Sequence, residues 1–285
     1  MGRYSVREAV TEDFEEVYPL LLKLNAPKVT PEAWRRLFAT PWPSRHGHCG
    51  YVVTDGRRIR GFLGALFSER PVNGVTVPFC NMTSWIVEPE ARSASVAMLV
   101  EMLKLRDHTI TNFTPSDTVA RLLTAMRFSE IMRTQRVVFA APTIGAKPGI
   151  SVMTDVGAIR NRIRPADRTI LDDHNGFDCL HSLIDSGREY SYLVLKRLVR
   201  RRLPLLRPHY VSNPSLFRAT LGRVRARLCL PAMAAGLLVD EKYLNGVEIS
   251  FSTPVSADAR WFVRSEAVIP SEIDTIYSEL VLLHA

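Results

Sequence analysis

The chain has 285 residues, of which 46% are apolar and 23% are charged, and its formal net charge is +8. This length and composition can bury the core of one large or two ordinary domains, which excludes wholesale disorder. No apolar run reaches the roughly 18 residues that a membrane span requires, and the first residues lack the apolar stretch of a signal peptide. The cysteines are widely spaced and form no CxxC pair. We therefore expect a cytoplasmic protein with reduced thiols, no membrane partner and no metal site.

The first half of the chain predicts a mixed sheet flanked by helices. Apolar spacing, turn pairs and helix start signals give the element order β-α-α-β-β-β-α-β-α-β. We expect strands at 4–9, 51–53, 59–67, 75–87, 108–113 and 133–140, helices that begin at Thr11 and Thr30, and helices at 92–105 and 116–126. The strand at 133–140 is expected to close this unit.

The segment 141–148 is the best candidate for a linker, because it contains Pro142, Gly145 and Pro148 and few residues to bury. It predicts two domains, 1–146 and 147–285, and we expect residues 1–146 alone to keep an α/β circular dichroism pattern. In the second domain we expect strands at 181–184, 190–198, 205–211, 234–239, 247–251 and 276–283, and a helix after 212–215 that buries Phe217, Leu221, Val224 and Leu228. No sequence repeat of the first domain is detectable.

The segment 80–97 combines a strand with a small-residue helix start, which favours an anion site. A helix N-terminus directs N–H groups and the positive end of a dipole at one point. The small residues Ser93, Ala94 and Ser95 would let a pyrophosphate approach the backbone, and Arg92 adds a positive charge. The alternative is that Ser93 only caps an amphipathic helix.

The same segment resembles the acyl-CoA motif of the Gcn5-related N-acetyltransferase (GNAT) superfamily, a strand followed by V-x-P-E-x-R and a helix opened by [QR]-x-x-G-x-[GA]. Arg92 matches the first position of the helix-opening pattern and Ala97 matches the last, whereas Ser95 replaces the middle Gly.

The segment 116–128 is similar to the second GNAT signature, N-x-x-A-x-x-[FY]-Y-x-x-x-G-F, and only Phe128 matches outright. Leu123 occupies the position where many members carry a Tyr that protonates the leaving thiolate, and Arg127 replaces a Gly. The resemblance covers roughly residues 4–140.

The resemblance implies an α/β fold of tandem GNAT-like (acyl-CoA N-acyltransferase) domains, each a mixed, twisted β-sheet flanked by helices. It also implies acetyl-CoA as the co-substrate, with no metal. The residues at the motif positions imply where acetyl-CoA binds. Trp85, Ile86 and Val87 would contact it through their backbone N–H groups. The helix start would contribute Arg92, Ser93, Ala94, Ser95, Val96 and Ala97. As catalytic candidates we name Glu88, which follows the strand, and Asn112, which ends the next parallel strand. Each has an ordinary alternative, Glu88 as a solvated acid and Asn112 as a turn residue.

The second domain is basic, with ten Lys or Arg residues and no acid between Tyr190 and Val239. The run is either a solvated hairpin tip and helix face or a surface that binds an anion. Nucleic acid is not the favoured partner, because no nucleic-acid motif is present and aromatic residues are not interleaved with the basic run. The stretch Asp172-Asp173-His174 is either a carboxylate–imidazole pair or a set of neighbours that point apart.

Two functions follow from these patterns. The first is an acyl-CoA-dependent N-acyltransferase that transfers an acetyl group to an amine of a small molecule, an amino sugar being one candidate. The second domain would then complete the acceptor cleft or form a homodimer interface. The alternative is a non-catalytic GNAT-fold module that binds an anionic metabolite or a partner protein, which Ser95, Leu123 and Arg127 favour.

Overall fold

The computed structural model describes residues 4–24, 26–72, 74–141, 149–257 and 259–283. The strands are β1 (Ser5–Glu8), β2 (Gly50–Thr54), β3 (Ile59–Val72), β4 (Val75–Val87), β5 (Thr109–Asn112), β6 (Ser129–Ile131), β7 (Thr134–Phe139), β8 (Ser151–Met153), β9 (Leu180–Asp185), β10 (Tyr190–Arg200), β11 (Leu203–Val211), β12 (Gly236–Asp240), β13 (Ser252–Ser256) and β14 (Trp261–Arg264). The α-helices are α1 (Phe14–Leu21), α2 (Pro31–Arg36), α3 (Ser95–Met102), α4 (Asp117–Ala125), α5 (Val156–Arg162), α6 (Pro165–His174), α7 (Pro214–Cys229), α8 (Glu241–Leu244) and α9 (Glu279–Leu282). Short 3-10 helices span Thr11–Asp13, Leu22–Leu24, Pro89–Ala94, Leu230–Ala232 and Pro270–Glu272.

The strands form two mixed sheets of seven strands each, in two compact units. The first sheet has the order β1-β2-β3-β4-β5-β14-β6, and its unit contains the chain up to Ile131, Ala259–Ile273 and the chain from Tyr277 onward. The second sheet has the order β13-β7-β12-β11-β10-β9-β8, and its unit contains Met132–Asp258 together with Asp274–Ile276. The α/β fold class expected from the sequence is confirmed.

The first sheet is covered by helices on both faces. On one face, a core formed by α3, α4 and the sheet contains Leu63, Ala65, Phe67, Cys80, Met82, Met98, Leu99, Met102, Ile110, Ala120 and Leu123. On the other face, the rings of Phe14 and Phe38 lie 5.4 Å apart and those of Phe38 and Phe62 lie 5.0 Å apart, which joins α1 to β3. Two expected helix starts are confirmed, because Thr30 accepts a hydrogen bond from the N–H of Ala33 and Ser116 accepts one from the N–H of Val119. Thr11 does not cap a helix but is the first residue of the 3-10 helix before α1, and α3 begins at Ser95 rather than at residue 92.

The strand that completes the first sheet comes from the far end of the chain. β14 pairs antiparallel with β5, where Phe262 lies opposite Asn112, and also with β6, where Phe262 lies opposite Glu130. The compact units therefore differ from the expected division at residue 146. The expectation that residues 133–140 close the first unit is wrong, because β7 pairs with β12 and β13 in the second sheet. Strand periodicity identifies a strand but not its partner, which explains the error.

The second sheet is covered on one face by α7. The four residues expected to face inward, Phe217, Leu221, Val224 and Leu228, are all buried against the sheet. The helix begins as expected, because the Asn213 side chain accepts a hydrogen bond from the N–H of Leu216.

Two expected strands of the second half are absent at their expected positions among the described residues. The pairing segment is Ser252–Ser256 rather than 247–251, and the C-terminal apolar run forms the helical turn α9 rather than a strand at 276–283. In α9 the Ser278 hydroxyl accepts from the N–H of Leu280, which is a helix cap that outweighs the strand propensity of a short apolar run.

The basic run contains a tight turn, because Arg201 and Arg202 lie at the β10–β11 hairpin tip with φ of 47° and 67°. Such a pair of positive values is typical of a type I′ hairpin turn. Arg200 donates from Nη2 to the backbone oxygen of Ser256 at 2.8 Å. The hairpin-tip interpretation thus describes the geometry of this part of the run. The expected linker lies outside the described residues except for Ala141. None of the helices in the described ranges is long and apolar enough to cross a bilayer.

Candidate active site

The candidate site lies where two neighbouring parallel strands separate. β4 and β5 pair through Phe79–Thr109, Cys80–Ile110 and Asn81–Thr111. Beyond Asn81, β4 continues to Val87 along β3 and, over the described residues, no longer pairs with β5. The edge of β4 that faced β5 therefore presents unpaired backbone groups at the carboxyl end of the strands, where α/β proteins commonly bind ligands.

A β-bulge bends β4 at this point. The register with β3 shifts between Phe62 and Gly64, which lie opposite Ile86 and Thr83. Ser84 within the bulge has φ of 51°, a left-handed conformation that is uncommon for a residue other than Gly. A Cβ on Gly64 would lie 3.0 Å from Thr83 Cγ2, so a side chain at this position would push its neighbours by a few tenths of an ångström. Bulges of this kind redirect the strand beside functional sites.

Several buried polar atoms near the separation have no hydrogen-bond partner in the described part of the chain, and two of them belong to residues expected at the site from the sequence. These two atoms are Trp85 Nε1 on β4 and Asn112 Oδ1 at the end of β5. Buried polar groups are almost always paired, so an unpaired donor and acceptor indicate partners supplied by a ligand or by water.

The helix start after β4 is exposed and carries a positive charge. Arg92 and Ser93 lie on the 3-10 helix Pro89–Ala94, and both are exposed, whereas Ser95 is half-buried at the first residue of α3. The residue that precedes α3 is Ala94, and no side chain caps the helix. The alternative that Ser93 only caps this helix is therefore not what the structure contains.

Glu88, the first catalytic candidate, is held by two cations. Its carboxylate lies 3.0 Å from Arg60 Nη1 and 3.3 Å from Lys23 Nζ. The hydrogen bond from Arg60 is the main reason that the pKa of Glu88 lies below its ordinary value, and the pair with Lys23 adds to it. A carboxylate kept in its ionised form by two cations is a weak proton acceptor.

A second carboxylate, Glu279, lies beside the strand separation and was not identified from the sequence. Its Oε1 accepts a hydrogen bond from Thr114 Oγ1 at 2.8 Å, and its backbone N–H donates to Asn81 Oδ1 at 3.3 Å. Asn81 in turn donates from Nδ2 to Thr111 Oγ1 at 3.1 Å. The polar network thus joins α9 to the last paired residues of β4 and β5.

The carboxyl group of Glu279 is almost completely buried, since only 4% of the residue is exposed. Burial raises its pKa to about 7, although the hydrogen bond from Thr114 acts in the opposite direction. Its Oε2 atom has no hydrogen-bond partner, and no ion pair involving this residue occurs, among the described residues. The sequence signal is a single acid in the largely apolar run 276–283, whose composition favours a strand.

The segment that resembles the second GNAT signature differs from it at Leu123 and Arg127. Leu123 lies on the inner face of α4 and is fully buried in the apolar core. Arg127 has φ of 63° just after α4, and the N–H of Phe128 donates to the backbone oxygen of Leu123 at 3.0 Å. A left-handed residue after a helix is most often Gly. Arg127 therefore keeps the backbone conformation of the family's Gly although it has a side chain.

Two further histidines of the described residues make contacts outside the strand separation. His46 Nε2 lies 2.9 Å from His108 Nε2, and within the described ranges no group of three or more metal-ligating side chains occurs. His174 is buried and its Nδ1 donates to the backbone oxygen of Ile170 at 2.8 Å, while Asp172 forms an ion pair with Arg160. Asp172 therefore pairs with Arg160 and not with His174.

Comparisons with known proteins detect likeness in structure but not in sequence. No protein-family model matches the chain, and no curated protein matches it. The structure of a GCN5-related N-acetyltransferase from Anabaena variabilis matches with a TM-score of 0.60 at 11% identity, over 92% of this chain and 72% of that one. A GCN5-related N-acetyltransferase from Kribbella flavida matches with a TM-score of 0.58 at 13% identity, over 92% and 71%.

A third solved structure, Saccharomyces cerevisiae N-myristoyltransferase with bound myristoyl-CoA, matches with a TM-score of 0.51 at 9% identity, over 92% of this chain and 82% of that one. At such identities the likeness concerns the fold. The chain has the α/β fold of the Gcn5-related N-acetyltransferases, in a tandem GNAT-like arrangement of two mixed seven-stranded sheets.

Proposed function

We propose that the chain is an acyl-CoA-dependent N-acyltransferase that transfers an acetyl group to an amine of a small molecule, an amino sugar being one candidate acceptor. The observation that carries this proposal is the separation of β4 from β5 after Asn81, with the bulge at Ser84 and the exposed start of α3 beyond it. The acyl-CoA present in the matching yeast N-myristoyltransferase supports the same co-substrate class.

The residues at the separation fit an acyl-CoA. The unpaired edge of β4 offers the backbone groups of Trp85, Ile86 and Val87, which suits a pantetheine amide chain laid alongside a strand. The segment Arg92–Ala97 offers one guanidinium, two hydroxyls and the N-terminus of α3, which suits a pyrophosphate. Asn112 Oδ1 and Trp85 Nε1 remain available for further hydrogen bonds.

The bound acyl-CoA would supply an activated acyl group as a thioester. The chain has to hold this thioester, polarise its carbonyl group with backbone N–H donors, exclude water and accept a proton from the amine. We assign the first two tasks to β4 between Trp85 and Val87. Its bulge turns the backbone of this stretch away from regular pairing, so N–H groups are free to donate to a ligand oxygen.

The competing proposal is a non-catalytic module that binds an anionic metabolite or a partner protein. It is favoured by Leu123, because a buried aliphatic side chain occupies the position at which the family's Tyr would protonate the leaving thiolate. The two proposals share the acyl-CoA-like anion site and differ in whether an amine is consumed.

Calorimetric titration with acetyl-CoA tests the binding part of the proposal. Ser95→Glu places a carboxylate beside the expected pyrophosphate position, and we expect it to weaken acetyl-CoA binding at least tenfold, about 1.4 kcal/mol. A matched control is Ser215→Glu, which places the same side chain at an exposed position in the first turn of α7. Equal affinities for the wild type and Ser95→Glu would overturn the assignment of this site.

Release of free thiol distinguishes the two proposals. With acetyl-CoA and a panel of primary amines, including amino sugars, an enzyme releases thiol in proportion to the amine consumed. Tight acetyl-CoA binding without amine-dependent thiol release would favour the non-catalytic module.

A further inference from the structure

We infer that Glu279, on the C-terminal turn α9, is the general base of the acyl transfer and accepts the proton of the attacking amine at its Oε2 atom. The inference rests on the proposed N-acyltransferase function and names the group that the sequence motifs leave unassigned. It replaces Glu88 in that role.

The first argument is position. Asn81 is the last residue of β4 that pairs with β5, and its Oδ1 accepts the backbone N–H of Glu279 at 3.3 Å. Thr114, just after β5, donates to Glu279 Oε1 at 2.8 Å. Glu279 is therefore held by its backbone N–H to the last paired residue of β4 and by its carboxyl group to the segment just after β5, at the point where the strands separate and where the thioester is proposed to lie.

The second argument is the face of the sheet. Asn81 lies opposite Leu66 and Thr83 lies opposite Gly64, so these residues share the face that carries Phe62, which packs through Phe38 toward α1. The α3 start, where the pyrophosphate is proposed, belongs to the opposite face with Met82 and Met98. An acyl chain that passes between the separated strands would thus meet Glu279 on the face opposite its own phosphates.

The third argument is the unsatisfied chemistry of the carboxyl group. A buried carboxylate without a cation partner costs free energy, and an unpaired oxygen adds to this cost. Oε2 is such an atom, and the hydrogen bonds that lower the pKa of this carboxyl group come from uncharged groups, namely Thr114, Asn81 and the backbone N–H groups of Glu279 and Phe113. A proton acceptor has to combine burial with a free oxygen, whereas Glu88 is ion-paired with Arg60 and Lys23.

The proposed step balances as follows. The amine nitrogen forms a bond to the acyl carbon while the carbon–sulfur bond breaks, and the sulfur leaves with the bonding electron pair. One N–H proton of the amine passes to Glu279 Oε2. The proton then passes on to the thiolate, so the products are the amide and the free thiol, and Glu279 returns to its carboxylate form.

The test uses the full chain with acetyl-CoA and a panel of primary amines. Glu279→Gln keeps the size of the side chain and its capacity to accept a hydrogen bond from Thr114, but it removes the proton acceptor. We expect kcat to fall about 100-fold or more, with acetyl-CoA affinity unchanged, and the rise of kcat through near-neutral pH to disappear. The control is Glu266→Gln on the exposed loop after β14, which should leave both quantities unchanged.

Each outcome decides between the claims. If the wild type transfers the acyl group and Glu279→Gln retains its kcat and pH profile, the base assignment is overturned and the proposed function stands. If the wild type binds acetyl-CoA and releases no thiol with any amine, the base assignment and the proposed N-acyltransferase function are both overturned.

A measurement on the wild type covers the case in which the variant does not fold. Difference infrared spectroscopy should detect one protonated carboxyl group that ionises near neutral pH. If no carboxyl group titrates above the ordinary range of Glu, the inference is overturned.

Discussion

The backbone N–H of Glu279 donates a hydrogen bond to Asn81 Oδ1 at 3.3 Å, across 198 positions of sequence. The contact brings the C-terminal turn to the end of the paired segment of β4 and β5. The proposed acyl-CoA site and the proposed proton acceptor therefore come from distant parts of the sequence, the motif from residues 80–97 and the acceptor from residue 279.

Removing the hydrogen bond to Glu279 should shift the pH dependence of the reaction. Thr114 lowers the pKa of the Glu279 carboxyl by donating to its ionised form. Thr114→Val should therefore raise the apparent pKa of the kcat profile and move its rising limb to higher pH. The profile is measured from pH 5 to 9 beside Thr118→Val, an exposed threonine of α4. A Thr114→Val limb at the wild-type position would show that this bond does not tune the base.

The stability of the protein should also depend on the ionisation of Glu279. Its pKa rises from an ordinary 4.5 to about 7 on folding, so the folded state binds more protons than the unfolded state between these pH values. The free energy of unfolding should therefore fall as pH rises through this window, by up to about 3 kcal/mol from this group alone. Glu279→Gln should lack this contribution. Urea unfolding of the wild type and of Glu279→Gln at pH 5 and pH 8 measures this difference. An equal change in the free energy of unfolding for both proteins would contradict the prediction.

Cooperative folding of the first unit should require the segment that contains β14. β14 lies between β5 and β6 in the sheet, and Trp261, Phe262 and Val263 are buried. Residues 1–146 alone would lack this strand, so we expect that fragment to lose the cooperative unfolding transition of the full chain. Circular dichroism with thermal unfolding measures this, and a sharp transition of the isolated fragment would contradict the role of β14.

Replacing the left-handed residue after α4 with Gly should increase the stability of the protein. Arg127 has φ of 63°, a conformation that costs a residue with a side chain roughly 1 kcal/mol. Arg127→Gly should stabilise the protein by about that amount, seen as a higher urea midpoint with an unchanged slope. Arg121→Gly, within the helical part of α4, should have the opposite effect because Gly weakens helix interiors by about 1 kcal/mol. Destabilisation by Arg127→Gly would indicate contacts of its side chain that outweigh the backbone strain.

The fold of the first half was largely predictable from local signals. The strand 75–87 agrees with β4, and the caps at Thr30 and Ser116 begin helices as expected. These signals succeed because hydrophobic periodicity and capping act within one element.

What the sequence did not predict depends on distant pairing. β14 joins β5 only in the folded chain, and β7 reads as a strand in either sheet. Glu279 was missed for the same reason, since its role depends on Asn81 and Thr114 rather than on its neighbours. Glu88 was named because it follows the motif directly, and its partners Arg60 and Lys23 come from other elements.

The most direct test of the account is hydrogen–deuterium exchange of the full chain with and without acetyl-CoA. Binding along the unpaired edge of β4 and at the start of α3 predicts slower exchange of amides between Met82 and Ala97, while β11 in the second sheet should exchange at the same rate in both samples. Unchanged exchange over Met82–Ala97 at saturating acetyl-CoA would contradict the proposal that acyl transfer occurs where β4 and β5 separate.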